Sequence, residues 1–180
     1  MNIKKPELLA GAGDWKMLRT AVKYGADAIY FGVDELNLRA KASNFALEEL
    51  EEVVNFLHEN NVDAHLTVNA VVYDEQNDKL DLVLKEAKRC NIDFIIAWDM
   101  AIIDKCIELD LPLCISTQAS VSNSGAAKMY KRLGAKRIVL ARECTLEQIK
   151  EIKSKVDIEI EAFVHGAMCV AVSGRCFMSH

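Results

Sequence analysis

Residues 46–70 read ALEELEEVVNFLHENNVDAHLTVNA. In the first fifteen, Leu47, Leu50, Val53, Val54 and Leu57 recur three or four positions apart, which places them on one helical face with the acidic residues opposite. An Asn turn follows, and the run AHLTVNA from Ala64 is short, apolar and strand-like. A helix that buries one stripe and then feeds a short buried strand is the repeating element of a parallel sheet.

The same alternation extends in both directions. Strands are expected at ELLAGAG (from Glu7), AIYFGV (from Ala28), FIIAWD (from Phe94), LCISTQ (from Leu113), RIVLARE (from Arg137) and IEIEAFV (from Ile158), making seven with AHLTVNA. Helices are expected at WKMLRTAVKYG, NDKLDLVLKEAKRC, MAIIDKCIELD, GAAKMYKRLG and TLEQIKEIKSKV. Several close on a Gly or Asn turn, as in YGADAIY, CNIDFII and LGAKRIV, which suits a left-handed C-cap. Thr145 with Gln148 three residues on has the form of a capping box. GAG at Gly11–Gly13 is a tight βα turn or a weak phosphate-binding signal, and no Rossmann glycine fingerprint accompanies it. The pattern therefore favours a (β/α)8 TIM-like barrel, incomplete at about seven strands and six helices, since a full one takes ~250 residues. The expectation is a single N-terminal barrel domain over residues 1–180, truncated before a C-terminal part, with the self-association that an open edge invites.

Composition narrows the function classes. The chain has 180 residues, 51% hydrophobic and 27% charged, and its 22 basic against 27 acidic side chains leave a net charge of −5. That excludes a globally basic nucleic-acid binder but not a local patch. The cluster Lys128, Lys131, Arg132, Lys136 and Arg137 is such a patch, to be read as a phosphate contact or as a solvated helix face. No apolar run reaches the ~18 residues of a membrane span and the N-terminus lacks a signal-peptide core, so a cytoplasmic protein without membrane partners is expected. Of six cysteines, Cys90, Cys106, Cys114 and Cys144 lie in apolar periodic segments and read as packing thiols.

In parallel α/β folds ligands lie at the carboxyl ends of the strands. Asn69, Asp99, Thr117, Gln118, Arg142, Glu143 and His165 all fall there, and together they would line one mouth. Arg142 could grip a substrate carboxylate or phosphate, or pair with Glu143 or Asp99. The long connection LNLRAKASNF adds Arg39, Lys41, Ser43 and Asn44, and long βα loops carry function. In the tail EAFVHGAMCVAVSGRCFMSH, His165, Cys169, Cys176 and His180 lie within sixteen residues. Thiolate and imidazole suit iron-sulfur or zinc. The competing assignment makes Cys169 a nucleophile activated by His165, although Gly166 argues against the regular helix that would set the two on one face.

The blocks PELLAGAG, YGADAIYFG, RAKASNF, TVNAVV, STQASVSN, LGAKRIVLARECTLEQI and EAFVHGAMCVAVSGRCFMS, in this order, resemble the N-terminal domain of the collagenase-like peptidase family U32. One departure is Gly11, where the family usually has proline. The resemblance implies two kinds of relative: peptidases by name, and iron-sulfur proteins that support hydroxylation of tRNA wobble uridine, ribosomal RNA or the ubiquinone ring. For the RNA-modifying kind it implies RNA as partner and prephenate as cosubstrate. It makes Cys169 and Cys176 two of the four thiolates of a 4Fe-4S cluster, with the other two outside this chain. His165, Arg142 and Glu143 are then the expected catalytic residues, and Arg39, Asn44, Asn69, Asp99 and Gln118 the expected substrate contacts. A hydrolase using the Cys169–His165 pair and a noncatalytic scaffold that holds a cluster or a protein partner are the alternatives.

Overall fold

The computed structural model describes residues 5–34, 36–37, 44–166 and 169–175. Seven strands, β1 (Leu9–Gly11), β2 (Ala28–Gly32), β3 (Asp63–Thr67), β4 (Phe94–Ala97), β5 (Leu113–Ile115), β6 (Arg137–Val139) and β7 (Glu159–Glu161), form one sheet. Every pairing is parallel and joins strands consecutive in sequence, so the strand order never reverses as it would in a doubly wound sheet. Among the described residues six α-helices cover the outside: α1 (Trp15–Lys23), α2 (Leu50–Glu59), α3 (Asn77–Arg89), α4 (Met100–Glu108), α5 (Ser124–Arg132) and α6 (Leu146–Lys155). The sheet curls far enough for Arg137 of β6 to bond Glu7 at the approach to β1. Among the described residues no helix is long and apolar enough to cross a membrane.

Local chemistry sets the boundaries. Asp14, Asp99, Asn123 and Thr145 cap α1, α4, α5 and α6 by accepting a backbone N–H, and the expected Thr145–Gln148 capping box forms in both directions. The turns back into the sheet hold Gly25, Asn61, Asn91 and Gly134 at positive φ, as the Gly and Asn signals predicted.

Strand alternation divides the core in two. Ile29, Phe31, Leu66, Ile95, Leu113, Ile115 and Ile138 face the helices and meet Leu18, Val53, Leu57, Leu80, Leu84, Ile102 and Ile152. The other face lines the barrel, where Tyr30, Phe94, Ile96, Cys114 and Val139 form a separate small cluster. Gly11 belongs there, because a Cβ at that position would lie 2.5 Å from Tyr30 Cζ; the tyrosine ring occupies the space a side chain would take. Cys90, Cys106 and Cys114 are buried, and burial pushes the first two thiols up to about 11 and about 12 and the third well above its ordinary value. They are packing thiols.

The barrel interior is also charged. Arg137, placed by its sequence neighbours in a basic surface patch, is 8% exposed. Its guanidinium donates to both oxygens of Glu7 at 2.6 and 3.0 Å and to Glu159 at 2.9 Å, and lies 4.5 Å from the centre of the Phe94 ring. The reason is parity: Arg137 shares the inward face with Val139 two residues on. His65 of β3 is fully buried edge-on to Phe94, and neither ring nitrogen has a partner. Burial, and next the charge of Arg137, lower its pKa to about 4, so it is neutral at pH 7. Glu161 has one carboxylate oxygen buried without a partner, and burial raises its pKa to about 7 against the pull of Arg137.

Two outcomes follow. Arg137→Met leaves Glu7 and Glu159 uncompensated; because the Glu159 side chain is 60% exposed, the loss in urea unfolding should be about 2–3 kcal/mol, under the ~3–5 of a fully buried pair, and an unchanged midpoint would count against the clamp. Glu161 holds a proton in the folded state between its ordinary 4.5 and about 7 while the unfolded chain has lost it, so its contribution falls as pH rises through that window. Glu161→Gln should therefore gain roughly 3 kcal/mol at most at pH 8 and nothing at pH 4.5. His65 acts in the opposite sense between 6.5 and about 4, so the comparison must be variant against wild type at each pH.

Candidate functional site

At the carboxyl ends of β3, β4 and β5 the inward-facing parity continues into Asn69, Trp98, Ser116 and Gln118. Asn69 donates its amide to Gln118 Oε1 at 3.1 Å, and Gln118 Nε2 returns a bond to the Asn69 carbonyl at 3.0 Å. The indole of Trp98 donates to the same carbonyl at 2.8 Å, and Ser116 Oγ donates to Gln118 Oε1 at 2.6 Å. Two of the expected contacts, Asn69 and Gln118, are thus brought together, with Trp98 and Ser116 as members that the sequence reading did not name. The group is uncharged, with Ser116 buried and Asn69, Trp98 and Gln118 half-buried, a floor of mutually bonded amide and hydroxyl dipoles.

Asp99 stands beside this floor but is committed to the backbone: it caps α4 through the Ala101 N–H at 2.9 Å and accepts from Val72 N–H at 3.4 Å. Thr117 donates to the Leu140 carbonyl, tying the β5 loop to the end of β6. Asn44 lies at the end of β2, where a Cβ on Gly32 would sit 2.9 Å from its side-chain oxygen. Arg39, with Lys41 and Ser43, lies outside the described residues.

Past β6, Arg142 and Glu143 hold the returning tail. Arg142 Nη2 donates to the Ala171 carbonyl at 2.8 Å, and its Nε and backbone N–H both reach Ser173 Oγ. Glu143 accepts from the Ser173 backbone at 2.8 Å and from its hydroxyl at 3.3 Å. Slight burial raises the Glu143 pKa, but a hydrogen bond from its own backbone N–H, then the Ser173 bonds and the nearby Arg142 charge, outweigh it and hold the carboxyl below its usual range, an acceptor rather than a proton donor at neutral pH. Arg142 therefore uses one edge of its fork on the tail, and Nη1 has no hydrogen-bond partner among the described residues.

The turn at 172–175 is pressed against the β5 loop. A Cβ on Gly174 would fall 2.3 Å from Ser120 Oγ and 3.2 Å from the Gln118 carbonyl, so a side chain there would have to displace Ser120 or move the turn away from the β5 loop. Cys169 and His165, on the stretch before this turn, are both exposed, and no hydrogen bond joins them among the described residues. Cys176 and His180 lie outside the described residues. Cys144, half-buried with its thiol toward the Val121 carbonyl, packs against the main core. Among the described residues no three His, Cys, Asp or Glu side chains are grouped to hold a metal. One accessible thiol does not make a four-thiolate site, and the described residues do not complete one.

Gly174→Ala should loosen the turn by the ~1–3 kcal/mol of an overpacked contact, roughly fivefold or more in exposure. Trypsin cleavage after Arg175, followed by mass spectrometry, should accelerate accordingly, and adding Ser120→Gly should restore the wild-type rate. Unchanged cleavage in Gly174→Ala would mean that the turn is not held there.

A family model described as peptidase family U32 matches residues 13–180. The chain is 48% identical over 178 residues to an uncharacterized protease of Methanocaldococcus jannaschii, covering 96% of this chain and 44% of that protein. It is 45% identical over 179 residues to tRNA hydroxylation protein P1 of Bacillus subtilis (98% and 42%) and 37% identical over 191 residues to a collagenase of Porphyromonas gingivalis (99% and 46%). The chain thus spans under half the length of these curated relatives. Among solved structures, the U32 peptidase Mk0906 superposes with a TM-score of 0.69 at 18% identity, over 90% of this chain and 71% of that one, a likeness of fold. With the family model matched from the first βα turn to the last residue, the chain belongs to peptidase family U32.

Proposed function

We propose that this chain is the barrel part of a protein that supports hydroxylation of RNA. The observation that carries this is the 45% identity, over 98% of the chain, to a protein named for tRNA hydroxylation. The mouth is compatible with the chemistry of a nucleobase: the floor of Asn69, Gln118, Ser116 and Trp98 is neutral and held by its own hydrogen bonds, so it presents amide edges and an indole ring rather than charge, and Arg142 adds one cation for a phosphate or a carboxylate cosubstrate such as prephenate. Cys169 and Cys176 are proposed as two ligands of a 4Fe-4S cluster, with the remaining thiolates supplied from sequence outside this chain. The tail clasp formed by Arg142, Glu143 and Ser173 would then set where Cys169 stands relative to the mouth.

The second reading, a collagenase-like peptidase, draws on the relative of that name. It needs an imidazole at hydrogen-bond reach of the thiol, and among the described residues no bond joins His165 and Cys169.

The test is Cys169→Ser in cells that depend on the gene. The modified nucleoside in hydrolysed tRNA or rRNA should disappear, and iron and acid-labile sulfide in the purified protein should fall together. A wild-type nucleoside profile would remove the hydroxylation reading, and thiol-dependent gelatin cleavage lost in the same variant would install the peptidase in its place.

A further inference from the structure

The chain is acidic overall, so any polyanion must be met by a local surface. Charge is unevenly divided among the helices. α1, WKMLRTAVK, carries Lys16, Arg19 and Lys23 and no carboxylate, and α5, SGAAKMYKR, is likewise wholly basic, whereas α2 is acidic. The two basic helices differ in what their charges are doing. On α5, Lys131 bonds the Asp157 carbonyl and pairs with its carboxylate, and Arg132 turns to the Met129 sulfur. On α1, the three cations are exposed and none has a carboxylate within 4 Å among the described residues.

Spacings of three and four residues stack Lys16, Arg19 and Lys23 along one helical face, where with Trp15 and Thr20 they line a groove of about 480 Å³. Trp15 is wedged edge-on between Phe45 and Phe56, and its indole donates to Glu49 at 2.9 Å. Arg19 lies over that ring at 5.4 Å, so part of the cost of ordering its side chain is already met. At the far end Tyr24 is 76% exposed, with Lys23 Nζ 5.7 Å from its ring centre. Unpaired cations in a row with an exposed aromatic ring suit a nucleic-acid strand, whose phosphates take the charges and whose bases take the ring.

We propose that the outer face of α1 is an RNA contact surface, with Lys16, Arg19 and Lys23 on the phosphate backbone and Tyr24 stacking on an unpaired base. It rests on the RNA reading above and names a second surface for the same partner, outside the mouth. Because α1 begins at the carboxyl end of β1, its Lys16 end lies on the side of the barrel where the mouth opens.

The experiment is binding of total tRNA to the purified protein across a salt series. The variant Lys16→Gln, Arg19→Gln, Lys23→Gln should bind at least tenfold more weakly at about 0.1 M salt, and the slope of log affinity against log salt should flatten by about 2–3, the value for three phosphates. Tyr24→Ser should lower affinity without changing the slope. The matching α5 variant, Lys128→Gln, Lys131→Gln, Arg132→Gln, should stay within about twofold of wild type. Wild-type affinity and slope in the α1 variant overturn the proposal and leave the RNA reading standing. No retention of tRNA by the wild type overturns both. Poly-glutamate competing for this face as well as poly-uridylate would assign it to an acidic protein and also overturn the proposal. Equal melting curves for wild type and variant, expected for exposed side chains, make the comparison one of binding.

Discussion

A guanidinium inside a barrel has to be answered by charge from more than one direction, and Arg137 is answered from three strands. Glu7 comes from the approach to β1, Glu159 from β7, and Phe94 presents its ring from β4. The interior of such barrels is ordinarily packed with branched aliphatic side chains. Here its lower part is an ion cluster, and neighbouring groups take their state from it: His65 is kept neutral by burial and then by the Arg137 charge, while Arg137 works against the burial that protonates Glu161. Removing the guanidinium would alter three strands and two titrations together.

Periodicity made the fold legible. The helical stripe of Leu50, Val53, Val54 and Leu57 and the short run around Leu66 were enough to identify a βα unit, and six Gly-, Asn- or side-chain-capped repeats of it carried the parallel order. The candidate site was legible in part. Asn69 and Gln118 stood out as polar residues at strand ends, and they do meet. Trp98 and Ser116 were readable by the same rule, since counting in twos from the interior positions Phe94 and Cys114 leads to them, but an aromatic and a lone serine gave no chemical alarm. Arg137 was misplaced because four basic neighbours in sequence suggested a surface, whereas in a strand the neighbour that matters is two residues away. Ser173 and Gly174 could not be found by any local pattern, as their meaning lies in contacts with Arg142 and Ser120 on other loops.

The polar ends of the molecule divide the work. Below, charge is spent on holding strands together; above, the strand ends expose neutral dipoles and a tail clasped by Arg142 and Glu143. The apolar residues around that tail, Phe163, Val164, Val170 and Val172, remain exposed among the described residues, in contrast to the buried faces of all six helices. The tail is thus held by hydrogen bonds and one glycine contact more than by burial.

The sheet also carries a history in its strand order. Each strand pairs with the one made just before it, so the chain can add βα units one after another without waiting for a distant segment. The bond between Glu7 and Arg137 is the exception, spanning 130 residues. Closing a loop of that length in a free chain would cost about 4 kcal/mol in entropy, but the growing sheet brings the two ends round gradually. The clasp can then form last, when curvature has already delivered its partners, and a contact made after the folding barrier acts chiefly on the rate at which the barrel comes apart.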